Sequence, residues 1–176
     1  MLKGARVTLT ALVHSDLSVM LGWMNDREQV LSNAPYRPVT EAEHVEWFGE
    51  IQRRKDTVIF GIRLLDTEKL IGSCQLHSIS PVHRGAELQI RLGEEGQRGK
   101  GYGTEALQLL LAFAFGDLNL NRVYLHVFST NGAALRVYER VGFVREGILR
   151  KAVYIDGEYI DVVVMGILRD EYGVKR

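Results

Sequence analysis

Residues Arg98-Gly99-Lys100-Gly101-Tyr102-Gly103-Thr104 follow an apolar run, Leu88 to Leu92, and open a helical segment, Thr104 to Phe115. Glycines let the backbone approach a ligand closely and adopt positive φ. The first turn of a helix presents unpaired N–H groups and the positive end of its dipole. Together these make a main-chain cradle for a phosphate or pyrophosphate. A P-loop would need glycine five positions before Gly99-Lys100 and Ser or Thr after the lysine, but position 94 is Glu and position 101 is Gly. A dinucleotide site is a closer rival, because Gly101-x-Gly103-x-x-Ala106 fits its pattern. That site also needs an acidic residue about 20 positions on, at the end of the next strand. Here the next strand ends His126-Val127-Phe128-Ser129, and the loop starts too late for a full doubly wound sheet.

The elements that must position this loop read as a mixed α/β chain. Arg6 to Leu12 is expected as a first strand, and Ser15 as the cap of a helix carrying Leu17, Met20, Leu21 and Met24. Thr40-x-x-Glu43 is a capping-box pattern, with Val45, Phe48 and Ile51 as the apolar stripe behind it. Thr57–Leu65 and Leu70–Ile79 suggest an antiparallel pair, followed by a strand at Ala86–Leu92. After the glycine loop and its helix come a buried strand, Arg122–Phe128, and a helix, Asn131–Val141, stopped by Gly142. Asp156-Gly157 predicts a tight turn between Ile148–Ile155 and Glu158–Leu168. This makes about seven strands and four helices in one domain spanning residues 1–176.

Bulk properties exclude several classes. The 22 basic and 22 acidic side chains balance, so no global charge attracts nucleic acid or an anionic membrane. No run approaches the ~18 apolar residues of a membrane span. A single cysteine, Cys74, excludes an internal disulfide and points to the cytoplasm. Cys74-x-x-His77 is too little for a metal site, since strand residues three apart face opposite ways, and no metal is expected. Cys74 itself reads as a buried, inert thiol.

A second motif accompanies the loop. Arg98-x-x-Gly101-x-Gly103 after a strand, then Asn131-x-x-Ala134-x-x-x-Tyr138-x-x-x-Gly142-Phe143, resembles the GNAT N-acetyltransferase superfamily. The order of elements agrees from end to end. The similarity is strongest to the branch of ribosomal-protein N-terminal and spermidine (diamine) acetyltransferases, with His83 to Ile90 looking like the diamine enzymes. Residues 1 to about 80 match less specifically.

The resemblance implies acetyl-CoA as cosubstrate and a mostly antiparallel sheet with a splayed parallel pair at its centre. Pantetheine would pair with the strand edge near Ile90 and Leu92. Backbone N–H groups of Arg98, Gly99, Lys100, Gly101, Tyr102, Gly103 and Thr104 would hold the pyrophosphate, and the Arg98 and Lys100 side chains either add charge there or are solvated. Acyl transfer needs a neutral amine, yet an alkylamine is about 99.9% protonated at pH 7. Glu87 is the leading candidate to take that proton, directly or through water, and His126 is the reserve, since imidazole titrates near neutrality. By family position Tyr138 protonates the departing thiolate; otherwise it is a core tyrosine. Asn131 either caps its helix or bonds pantetheine or acceptor, and both roles can coexist. Asp26, Glu28, Glu41, Glu43, Glu46 and Glu50, interleaved with Trp23, Tyr36, Trp47 and Phe48, form either an acidic acceptor wall or a solvated helix face. The acceptor is a small-molecule amine or a peptide N-terminus, with a polyamine as the narrower alternative. A catalytically silent CoA-binding module is the rival class, and a homodimer is a further expectation.

Overall fold

Apolar and polar residues alternate along the central strands so that these send one face to a helix layer. In the computed structural model, which describes residues 1–173, the strands are β1 (Leu2–Lys3), β2 (Val7–Thr10), β3 (Val58–Leu64), β4 (Leu70–Ser80), β5 (Gly85–Leu92), β6 (Arg122–Phe128), β7 (Val144–Ile155) and β8 (Glu158–Leu168). They form one sheet in the order β1-β2-β3-β4-β5-β6-β8-β7. Every pairing is antiparallel except β5 with β6. The helices are α1 (Leu17–Asn25), α2 (Arg27–Leu31), α3 (Glu41–Ile51), α4 (Tyr102–Gly116) and α5 (Gly132–Val141).

Eight strands and five helices replace the expected seven and four. The additional strand is the two-residue β1, paired antiparallel to β2. The additional helix arises because Asp26 takes an extended conformation that ends α1, while its carboxylate accepts the Gln29 N–H and caps α2. Ser15 does not cap α1. A 3-10 turn at His14–Asp16 precedes that helix, and the Asp16 carboxylate ties the turn down by accepting the Val13 N–H at 2.9 Å. The Thr40–Glu43 capping box forms as expected. The buried stripe of α3 is His44, Phe48 and Ile51 rather than one including Val45, which is exposed. Spacings of four and three keep residues 44, 48 and 51 on one face, and His44 stacks on Trp47 at 5.1 Å.

The larger core lies between the sheet and α4, whose Leu107, Leu110 and Leu111 pack with Leu9, Ile62, Leu76, Leu88 and Val123. Each such side chain contributes about 1.5–3 kcal/mol of burial. A smaller core, Leu12, Leu17, Met20, Phe48, Ile51 and Leu70, holds α1 and α3, with Ile59 of β3 against it. The helices on that side therefore sit over the sheet face opposite α4.

Asp16 fixes the start of α1. Its carboxylate is 7% exposed and accepts from Arg63 Nη2 with both oxygens at 2.7 Å, while Arg63 Nε donates to Thr10 Oγ1. Asp16→Ala leaves the guanidinium half-buried without its anion and is expected to cost about 3 kcal/mol. Urea unfolding checks this as a lower midpoint at unchanged slope. An unchanged midpoint would show that the pair contributes nothing.

Candidate active site

The parallel ladder between β5 and β6 is short. Gly85 faces Arg122, Ala86 faces Val123 and Glu87 faces Tyr124, and there the pairing stops. From Leu88 onward the β5 edge toward β6 is unpaired, whereas the far edge of β6 remains laddered to β8 through Phe128. A cleft of about 380 Å³ opens at the gap, within the range of small-molecule sites. Leu88, Ile90, Val127, Asn131, Ala134 and Tyr138 line it, together with Trp23 and Trp47 from the opposite helix layer. An extended ligand arm can add to the open β5 edge as a strand would. Ile90 and Leu92 lie on that open stretch.

Beyond Leu92 the chain makes a 3-10 turn at Glu95–Gln97 and enters the glycine loop. Gly99 and Gly101 both hold positive φ, +74° and +86°, and Gly101 is the residue that caps α4. The helix therefore begins at Tyr102, two residues earlier than its apolar pattern suggests. Arg98 N–H is consumed by Glu95 O at 3.0 Å and Glu105 N–H by Gly101 O at 3.1 Å. Among the described residues, the six intervening amides, Gly99 to Thr104, donate to no backbone carbonyl outside the helix. Tyr102, Gly103 and Thr104 are the unpaired first turn. The result is a run of free donors at a positive helix end, suited to a pyrophosphate.

Side chains brace this loop rather than point into it. Arg98 folds back, Nε and Nη2 donating to Leu92 O at 3.2 and 3.0 Å, with Nη2 also reaching Gln29 Oε1 on α2. Lys100 Nζ donates to Gln97 Oε1. Arg6 Nη1 donates to Lys100 O at 2.9 Å and its guanidinium lies over the Tyr102 ring. Glu105 accepts from Arg6 Nε and from the backbone N–H groups of Arg6 and Val7. These hydrogen bonds offset the burial of its carboxyl and hold it below the usual carboxylate range. Neither Arg6 nor Glu105 carries a local sequence signal, since their contact joins positions 99 apart.

Glu87 and His126 meet. His126 Nδ1 lies 2.8 Å from Glu87 Oε1, across the last rung of the splayed pair. A carboxylate cannot donate, so Nδ1 carries the hydrogen, and in the neutral ring Nε2 holds the lone pair. Sequence reasoning weighed these two as alternatives, whereas the register makes them one unit. It also passed over His77, whose β4 position pairs with Glu87 and puts Nε2 4.0 Å from Glu87 Oε2. Tyr138 is 9% exposed, borders the cleft, and packs edge-on to Phe143 at 5.8 Å. Burial pushes its phenol up to about 12. Asn131 both caps α5 by accepting Ala134 N–H and donates from Nδ2 to Ser32 O, bridging to the loop after α2.

Two other expectations resolve on geometry. Cys74 is buried on the α4 side and burial pushes its thiol up, away from the nucleophilic form. The six carboxylates of the first helices do not line the cleft. Asp26 caps α2, Glu43 completes the capping box and pairs with Arg37, and Glu28, Glu41, Glu46 and Glu50 are exposed. Among the described residues no group of three or more His, Cys, Asp or Glu could hold a metal ion. No helix among them is long and apolar enough to cross a membrane.

Comparison with known proteins agrees with this geometry. Residues 6–144 match the acetyltransferase (GNAT) domain family. The chain is 34% identical over 174 residues to spermidine N(1)-acetyltransferase of Vibrio cholerae, covering 96% of each. Spermidine N(1)-acetyltransferase of Escherichia coli is 39% identical over 107 residues, 61% of this chain and 56% of that protein. The crystal structure of the Vibrio cholerae spermidine N-acetyltransferase in complex with CoA and spermine superposes with a TM-score of 0.88 at 33% identity, over 94% of this chain and 97% of that one. The chain therefore belongs to the GNAT acetyltransferase family and is an N-acetyltransferase that moves acetyl from acetyl-CoA to an amine.

Proposed function

We propose that the whole chain is one catalytic domain that acetylates a primary amine by direct attack on the thioester, with no acetyl-enzyme. The observation that carries this reading is the continuity of the open β5 edge with the six free amides of Gly99–Thr104. Pantetheine lies along Leu88–Leu92 and the pyrophosphate on the loop. The thioester then falls between Tyr138 on α5 and the His126–Glu87 pair. Backbone N–H groups of β5 face the developing oxyanion. His126 Nε2 takes the ammonium proton, and Glu87 stabilises the imidazolium that results. Tyr138 gives its proton to the sulfur as the C–S bond breaks and regains one from the acylated nitrogen, so the products are the amide, the free thiol and one proton held on His126. Asn131 holds the start of α5 against the arm.

The acceptor is a small-molecule amine or a peptide N-terminus. Similarity to enzymes named for spermidine favours a polyamine as the narrower reading. We place the enzyme in the cytoplasm, where acetyl-CoA is available and the single buried thiol stays reduced. It acts as a homodimer, supported by the exposed Ile148, Leu149, Tyr154 and Tyr159 of the terminal hairpin. Light scattering at micromolar concentration is expected to give twice the 19.9 kDa chain mass, and the monomer mass would reject it.

Turnover of acetyl-CoA with a primary amine, read as released thiol, tests the proposal. Tyr138→Phe is expected to lower kcat about 10²-fold while leaving KM for acetyl-CoA nearly unchanged. Because the phenol titrates near 12 rather than 10, it stays protonated through the alkaline range. The wild-type rate is thus expected to climb with pH toward the amine's own pKa, with no falling limb from Tyr138 below about pH 11. His126→Ala should lose about 10²-fold at pH 7, with the deficit narrowing toward pH 10 as free amine accumulates. A deficit independent of pH would remove His126 from proton transfer.

A further inference from the structure

The charge lining the cleft does not match a polycation. On the β4–β5 face opposite α4, the cross-strand pairs are His77 with Glu87, Gln75 with Gln89, and Ser73 with Arg91. Moving outward from His126, the neutral Gln75–Gln89 pair comes first, its amide hydrogen bond at 2.6 Å. Arg91 comes next. Trp23 lies flat on Gly93 at the end of β5, where an added Cβ would sit 1.9 Å from the indole. Trp47 forms a second aromatic wall. Among the described residues no Asp or Glu lines this cleft, and Glu87 is committed behind His126.

Arg91 is a half-buried guanidinium with five donors. Among the described residues it has no carboxylate partner, and the one acceptor it reaches is Asn33 Oδ1 at 3.0 Å. Such a cation repels a di- or tricationic amine and leaves donors for an anion. Two residues of strand separate Gln89 from Arg91, about 6.6 Å of rise. From Glu87, which holds His126, to Arg91 is four residues, about 13 Å of rise, and the long arginine side chain covers part of that distance.

We infer that the acceptor is a monoamine bearing an anionic group, a carboxylate or phosphate, that docks on Arg91 while an apolar or aromatic body lies between Trp23 and Trp47. This deepens the acetyl-transfer reading above and rests on it. It opposes the polyamine alternative, even though proteins of similar sequence are named for spermidine.

The test uses the full chain with acetyl-CoA and four amines: 4-(aminomethyl)benzoate, the matching benzylphosphonate, benzylamine, and spermidine. Turnover is read alongside amine binding from quenching of Trp23 and Trp47, the only two tryptophans. One or both anionic amines are expected to exceed benzylamine and spermidine in kcat/KM by about tenfold or more, the worth of a charge-assisted hydrogen bond. The better of the two identifies the anion. Arg91→Gln should erase that advantage, leave benzylamine unchanged, and leave KM for acetyl-CoA unchanged. Spermidine as the preferred substrate, or an Arg91→Gln effect confined to KM for acetyl-CoA, overturns the inference while acetyl transfer stands. Arg91-dependent binding of an anionic amine without turnover supports the inference and overturns acetyl transfer to it instead.

Discussion

Three rungs join β5 to β6, and then the ladder stops. Everything else in the site depends on that interruption. Had the pairing continued past Glu87 and Tyr124, the β5 edge would be satisfied by β6 and no arm could lie along it. The main-chain donors and acceptors exposed there would be costly if sealed away from water and from ligand alike. The fold keeps them usable by lining the gap with α5, whose Asn131, Ala134 and Tyr138 border the cleft. Past Leu92 the same strand delivers the chain into a helix start with its amides still free. One run of backbone thus joins an open strand edge to a helix start with free amides, the two surfaces on which the proposed CoA site rests.

Preorganisation of that backbone is where distant side chains are spent. Arg6 donates to Lys100 O and to Glu105, and Arg98 donates to Leu92 O, while the N–H groups of Gly99–Thr104 donate to no backbone carbonyl outside the helix. Such bracing fixes donors before a ligand arrives, so less ordering cost falls on binding. The proposed acid and base sit in different environments. Burial encloses Tyr138 and keeps its phenol protonated, while the His126–Glu87 pair sits on the other face of the sheet, at the last rung of the ladder. Amine acetylation at neutral pH needs one group that can take a proton and one that can give it.

Much of this was legible in the chain. The glycine loop, the Asn131–Tyr138 helix, the Asp156-Gly157 turn and the capping box at Thr40 are local patterns, and local patterns survive folding. The break between α1 and α2 at Asp26 was hidden because an Asp inside an apolar-periodic stretch also suits a solvated helix face. His44 was missed as a core residue because histidine carries little hydrophobic signal, yet stacking on Trp47 buries it. The Glu87–His126 contact depends on the parallel register of two strands 39 positions apart, which no periodicity encodes. Arg91 was unremarkable as a sequence letter. Its meaning comes from the cleft it borders, in which no Asp or Glu is found among the described residues.

Amide hydrogen exchange with and without CoA tests the central claim most directly, since it reads the main chain itself. The account predicts that CoA slows exchange at Gly99–Thr104 and along Leu88–Leu92 together, with little change on β7 and β8. CoA binding that leaves both segments exchanging as before would contradict it.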